Sequence, residues 1–267
     1  MTDTHPDLAT LEPGWVWLAG AGPGDPGLLT RLAWQALHQA DVIVHDALVN
    51  SAILDLAPAR IERIDAGKRG GRPSALQADI CQTLIGKARS GKRVLRLKGG
   101  DPMVFGRGGE EALALAEAGI PFRLVPGISA AIGGLAYAGI PLTQRGMNSA
   151  VTFVTGHDRK GGISRDIDWE RLAVGSPVLV IFMALANIDA LVARLLFAGR
   201  RKSEPVALIS RASLPDQTVI RAPLGDIVGV VAARQPATPS LMVLGPVVGL
   251  HDLIGWFVPP APKDSEG

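Results

Sequence analysis

The chain has 267 residues, 47% of them hydrophobic, a formal net charge of +2 and one cysteine, Cys81. That length suits two domains or one large α/β domain, the small net charge argues against nucleic acid as the main partner, and a lone cysteine leaves no disulfide framework and no thiolate metal cluster. The most apolar stretch, Pro177 to Gly199, is broken by Asn187, Asp189 and Arg194, so no membrane span is expected, and the N-terminus lacks a secretion-signal pattern, which points to the cytoplasm.

The first 14 residues are polar and read as a flexible N-terminus. Val16 to Ala19 reads as a strand, and a helix with Leu29, Leu32, Ala33, Ala36 and Leu37 on one face follows. The turn between them, Gly20-Ala-Gly-Pro-Gly-Asp-Pro-Gly, lies where a dinucleotide fold would bind pyrophosphate. Asp25 occupies the place of the third glycine of that fingerprint, and Pro23 removes a backbone donor. A tight turn that only lets the helix pack back is an equal reading.

Val42 to His45 is the next strand, and Asp46 ends it, where open α/β sheets place ligands. Its residue type allows a ribose contact, a general base or a helix cap. Lys68, flanked by glycines, is an anion contact, a proton donor or a solvated lysine. Ser74 and Gln77 have capping-box spacing and open a helix carrying Leu76, Ile80 and Leu84.

Val94 to Leu97 reads as a buried strand, and the loop after it, up to Glu111, sets glycines beside Arg96, Lys98, Arg107, Glu110 and Glu111. No packing requirement asks for that mixture, so the loop reads as a site. The two glutamates open a helix that runs to Ala118, where a negative side chain favours the dipole. A strand at Phe122 to Val125 and a helix at Ile128 to Tyr137 follow. The polar stretch Gln144 to Ser149 could link two domains, giving expected units of residues 15–146 and 147–258 and a flexible tail from 259. Beyond it come strands at Val151 to Thr155, Val178 to Phe182, Val206 to Ile209, Thr218 to Arg221 and Leu241 to Leu244. A helix capped by Asn187 carries the stripe Ile188, Leu191, Val192, Leu195 and Leu196. His45 and His157 lack ligand spacing, so no metal site is expected.

Taken together, Gly20-Ala-Gly-Pro-Gly-Asp-Pro-Gly, His45-Asp-Ala-Leu-Val, Gly67-Lys-Arg-Gly-Gly, Leu97-Lys-Gly-Gly-Asp-Pro, Val104-Phe-Gly-Arg-Gly-Gly-Glu-Glu, Val125-Pro-Gly-Ile-Ser-Ala and Gly139-Ile-Pro-Leu-Thr resemble the tetrapyrrole methylases, and among them the uroporphyrinogen-III C-methyltransferases. The resemblance runs in order over roughly residues 15 to 250. It implies two α/β domains enclosing S-adenosylmethionine in a cleft, a homodimer, and two methylations of uroporphyrinogen III that give precorrin-2, through precorrin-1, for sirohaem, cobalamin or haem d1. It carries cofactor contacts to Pro23, Gly99, Gly100, Asp101, Val104, Ser129 and Ala130, and from the second half to Met183, Ala212 and Ser240. It makes Asp46 the proton acceptor and Lys68 a proton donor, with Arg107 and Glu110 lining the reaction centre. Met103, Ser129 and Gln144 depart from the commonest family pattern, where phenylalanine, threonine and histidine are usual.

Overall fold

The computed structural model describes residues 9–67, 77–158 and 161–258. The chain divides into two compact units, residues 1–129 and 130–267. In the first, the order is β1 (Val16–Gly20), α1 (Arg31–Gln39), β2 (Val42–His45), α2 (Ser51–Leu54), β3 (Glu62–Asp65), α3 (Gln77–Arg89), β4 (Val94–Lys98), α4 (Gly108–Glu117) and β5 (Phe122–Val125). The strands form one sheet in the order β3-β2-β4-β1-β5, and every neighbouring pair is parallel.

Both faces of this sheet are covered, which is why β1 and β2 open on apolar runs rather than alternating ones. On one face Trp17, Ala19, Ile43, Leu95 and Leu97 pack with Ala33, Ala36 and Leu37 of α1. On the other, Val16, Leu18, Val42, Val44 and Val94 pack with Ile80 and Leu84 of α3 and Leu115 of α4. Thr30 caps α1 by accepting from the Ala33 N–H at 3.3 Å. The capping residue expected for α3, Ser74, lies outside the described residues, as do residues 1–8 and the expected tail.

Residues 9–14 differ from the flexible segment expected of the N-terminus. Leu11 is buried in the α1 face of the core, its N–H donates to Gln39 Oε1 at 2.9 Å, and Gly14 N–H donates to Lys92 O at 3.1 Å. One apolar side chain with two main-chain hydrogen bonds is enough to hold a short polar lead.

The second unit runs α5 (Ala130–Tyr137), β6 (Thr152–Thr155), α6 (Trp169–Gly175), β7 (Leu179–Phe182), α7 (Ile188–Phe197), β8 (Pro205–Ser210), β9 (Thr218–Pro223), α8 (Ile227–Arg234), β10 (Ser240–Leu244) and α9 (His251–Ile254). Its sheet, in the order β6-β7-β10-β8-β9, is mixed: β6 and β7 are parallel, and the other pairs are antiparallel. Leu179, Ile181, Leu208 and Met242 pack towards α7, and Val180, Ala207, Ile209 and Val243 pack towards α5. That second packing moves the division of the chain to Ser129/Ala130, ahead of the expected 146/147. Ala131 and Leu135 make α5 part of the second core, so the sequence position of the polar stretch is not where contacts thin out.

Candidate active site

Asp46 follows β2 directly, and its N–H donates to Leu97 O at 3.2 Å, so the ladder with β4 fixes it at the C-terminal edge of the first sheet. Two cations from β4 meet its side chain. Arg96 Nη2 donates to Oδ1, and Lys98 Nζ stands 3.7 Å from Oδ2. Arg96 and Lys98 are two residues apart on a strand, so both project from the face that carries Val94, and both are buried. Glu111, in the first turn of α4, is buried with them. Its Oε1 accepts from Lys98 Nζ at 2.9 Å, from Arg96 Nε at 3.2 Å and from Gln77 Nε2 at 2.9 Å. Arg96 Nη1 donates to Val44 O at 3.3 Å. Glu111 Oε2 has no hydrogen-bond partner among the described residues.

Buried charge persists only when it is paired and hydrogen-bonded, and here two cations face two carboxylates. Asp46 alone of the four reaches solvent, with a side chain 29% exposed. It does not cap the following helix; Asn50 does, accepting from the Ala52 N–H at 3.1 Å. Burial pushes the nearby Cys81 thiol up, and the charge on Glu111 adds to the effect.

The glycine loops converge at the same edge. Gly22 and Gly100 exchange main-chain hydrogen bonds of 3.2 and 2.8 Å, joining the loop after β1 to the loop after β4. A Cβ on Gly20 would lie 2.4 Å from Gly100 O, and one on Gly127 would lie 2.2 Å from the same oxygen. Only glycine admits that approach of three backbones. Asp101 fastens the junction: Oδ1 accepts from the Met103 N–H at 2.8 Å and Oδ2 from the Gly127 N–H at 3.0 Å. Its carboxylate therefore shapes the loops, a task the sequence did not suggest. Beyond it, Phe105 and Arg107 take left-handed backbone, with φ of 50° and 59°. For bulky side chains that is strain, of the kind that concentrates at functional sites.

Arg107 forms a two-point pair with Glu110, 3.1 Å from Nε to Oε1 and 2.7 Å from Nη2 to Oε2. The pair holds the Arg107 guanidinium above its ordinary proton affinity and sits half-exposed at the start of α4. Pro23 and Val104 are half-buried in the loops after β1 and β4, and Ser129 is buried beyond β5. The first unit thus brings together Pro23, Asp46, Gly99, Gly100, Asp101 and Val104. Lys68 lies outside the described residues.

In the second unit, β7 and β8 end and β10 begins at one edge of the sheet, with Ser240 opposite Ser210 and Leu241 opposite Phe182. That register gathers Met183, Ala212 and Ser240. Met183, Arg211 and Ser213 all have positive φ, of 54°, 51° and 61°. Arg211 N–H donates to Pro239 O at 2.8 Å, and Ser213 N–H to Gln217 Oε1 at 2.7 Å, so strained turns are pinned on both sides of Ala212. Arg211 also pairs with Asp216 and holds its carboxyl below the usual range. A Cβ on Gly134 would lie 2.8 Å from Ala212 Cβ, which seats α5, the helix that Ala130 opens, against this edge. Ser210 Oγ is buried there without a hydrogen-bond partner among the described residues. Asn187 stands at the N-cap of α7, as expected, but makes no capping side-chain bond. Its side chain donates to Gly156 O at 3.3 Å and Gly161 O at 2.9 Å, tying the loop after β6 to this edge instead.

Sequence reading overlooked the union of Arg96, Lys98, Glu111 and Gln77. The available signal was the spacing of Arg96 and Lys98 on an otherwise apolar strand, because two cations facing a core require buried anions.

The profile of the family described as tetrapyrrole (corrin/porphyrin) methylases matches residues 16–228. A uroporphyrinogen-III C-methyltransferase from Sinorhizobium sp. is 55% identical over 255 residues, which is 96% of this chain and 91% of the relative. Siroheme synthase 1 of Yersinia enterocolitica is 48% identical over 244 residues, 91% of this chain; the chain spans about half of that longer protein, 51%. The crystal structure of a uroporphyrin-III C-methyltransferase from Thermus thermophilus, complexed with S-adenosylhomocysteine, superposes with a TM-score of 0.75 at 38% identity, covering 88% of this chain and 99% of that one. With the two sheets and the glycine junction already in place, these matches show that the chain belongs to the tetrapyrrole methylases.

Proposed function

We propose that this chain transfers methyl groups from S-adenosylmethionine to two ring carbons of uroporphyrinogen III, giving precorrin-2 by way of precorrin-1, for sirohaem, cobalamin or haem d1. The observation that carries this reading is the 55% identity with the Sinorhizobium enzyme across nearly the whole of both chains. The residues present suit the methyl donor. Val104, Met183 and Ala212 offer apolar or small side chains, glycines expose main-chain groups for the adenosine and amino-acid portions, and the Ser210 hydroxyl is an unused buried donor at the edge of the second sheet. When bound, S-adenosylmethionine supplies an electrophilic methyl carbon on a sulfonium.

Pro23, Gly99, Gly100, Asp101, Val104, Ser129, Ala130, Met183, Ala212 and Ser240 hold the methyl donor. Alignment of the ring carbon with the methyl and sulfur atoms contributes on the order of 7–11 kcal/mol to lowering the barrier. A proton must leave the macrocycle after the carbon–carbon bond forms. Asp46 takes it, because its carboxylate is the one member of the buried charge cluster that reaches solvent. Lys68 serves as a proton donor. Arg107, with Glu110 orienting its guanidinium, meets the carboxylates of the substrate through charge-assisted hydrogen bonds, and exposed Arg145 adds a second such contact. Two copies associate; exposed Leu253, Ile254, Trp256 and Val258 near the C-terminus support that reading.

Thermal unfolding with and without ligand tests the cofactor. S-adenosylhomocysteine raises Tm and NAD leaves it unchanged; the reverse would turn the Gly20 to Gly27 turn back into a dinucleotide site.

A further inference from the structure

The buried carboxylate Glu111 has no role in the proposed reaction, although it is fully buried, receives three donors on one oxygen and leaves the other unpartnered among the described residues. Its position explains a second oddity. Lys98 Nζ has two carboxylates in reach, yet it lies 2.9 Å from Glu111 Oε1 and 3.7 Å from Asp46 Oδ2. The first distance is a charge-assisted hydrogen bond and the second is not. Arg96 already occupies Asp46 Oδ1, so Oδ2 is the oxygen that Lys98 leaves open.

We propose that Glu111 is a positioning residue for the Asp46 site: it holds the Lys98 ammonium back, so that Asp46 Oδ2 remains available to accept the substrate proton. The inference rests on the reading of Asp46 as proton acceptor. Without the charge on Glu111, Asp46 becomes the strongest anion near Lys98 among the described residues. A shift of about 1 Å then brings Nζ to charge-assisted hydrogen-bond distance from Oδ2 and occupies the oxygen that the reaction needs. Arg96 fixes one side of Asp46, and the Lys98–Glu111 pair keeps the other side clear. A role confined to stability would link β4 to α4 in the same way but would leave turnover per folded molecule untouched.

The test compares wild type, Glu111→Gln and the charge-balanced double variant Lys98→Met/Glu111→Gln. The readouts are kcat per S-adenosylhomocysteine-binding site, the affinity for that ligand, and Tm. Glu111→Gln lowers kcat about tenfold or more, up to the roughly 10²- to 10⁴-fold that a general base contributes, with ligand affinity near wild type. Removing Lys98 as well restores most of kcat, because the cation that would occupy Oδ2 is gone. Wild-type kcat in folded Glu111→Gln, or a double variant no faster than the single one, overturns the proposal. Should Glu111→Gln fail to fold, Glu111→Asp takes its place: the shortened carboxylate releases Lys98, so kcat falls and returns in Lys98→Met/Glu111→Gln, whereas wild-type kcat in Glu111→Asp overturns the proposal. Asp46→Asn separates the two levels. Full turnover in Asp46→Asn removes the base itself, whereas its loss beside an unaffected Glu111→Gln removes only this inference.

Discussion

At the C-terminal ends of β2 and β4 the first unit sets two buried cations against two carboxylates, one of them reaching solvent, over a parallel sheet covered on both faces. At the edge of the second sheet, the three residues carried over as donor contacts, Met183, Ala212 and Ser240, bear no formal charge, and Met183, Arg211 and Ser213 hold left-handed backbone. A carboxylate that moves a proton must be oriented, and buried counter-charges orient it without mobile water. A sulfonium ligand needs shape and main-chain contacts more than countercharge, and pinned turns supply those. The contrast therefore separates two tasks: changes in the charge cluster of the first edge should act on turnover, and changes in the pinned turns of the second on affinity for the methyl donor.

The largest effect expected from breaking the first edge is that of Asp46→Asn. Its kcat should fall by roughly 10²- to 10⁴-fold while the Kd for S-adenosylhomocysteine, measured by calorimetry, stays within about twofold. Weakened ligand binding with intact turnover would assign Asp46 to the cofactor instead. Gly127→Ala attacks the glycine junction. Its Cβ would lie 2.2 Å from Gly100 O, and main chain cannot move aside as a flexible side chain can. Overpacking of this kind costs about 1–3 kcal/mol, visible as a lower denaturant midpoint, and it should raise the Kd of the methyl donor as the loops part.

Arg107→Ala should be nearly silent in stability, within about 1 kcal/mol, because its pair with Glu110 is half-exposed. Its effect belongs in kcat/KM for the tetrapyrrole, with the Kd of S-adenosylhomocysteine retained; an unchanged kcat/KM would remove Arg107 from the site. The smallest effect lies away from both edges. Gly229 is inside α8 and a Cβ there meets nothing within 4 Å, so Gly229→Ala should raise stability by about 0.4–1 kcal/mol in chemical denaturation and leave kinetics alone.

Much of this organisation was legible in the chain itself. The strands β1, β2 and β7 are apolar runs, β4 and β5 are apolar but for Arg96, Lys98 and Arg123, and the stripe of α7 has a clear helical period. Other elements carried no such signal. Glu62–Asp65 forms β3 although it is charged and mostly exposed, because an edge strand needs only one hydrogen-bonded neighbour, here β2. Ile227–Arg234 is rich in β-branched residues and contains a glycine, yet Ile227 and Val231 bury one helical face against the core, so packing overrides propensity. At the site, the glycine loops and Asp46 could be placed from strand ends. The partner of Arg96 and Lys98 could not, since Glu111 sits in a helix start where a solvated carboxylate is equally good chemistry. Asp101 likewise reads as a ligand contact in sequence, and only the approach of the loops after β4 and β5 reveals that both its oxygens accept main-chain N–H groups.

The most direct measurement of the central claim is the mass of the product formed when the purified protein is incubated anaerobically with uroporphyrinogen III and S-adenosylmethionine. The expected product is a tetrapyrrole heavier by two methyl groups, with S-adenosylhomocysteine released in twofold proportion and Asp46→Asn forming neither at a comparable rate. Recovery of unmodified uroporphyrinogen III from a folded enzyme that binds S-adenosylhomocysteine would contradict it.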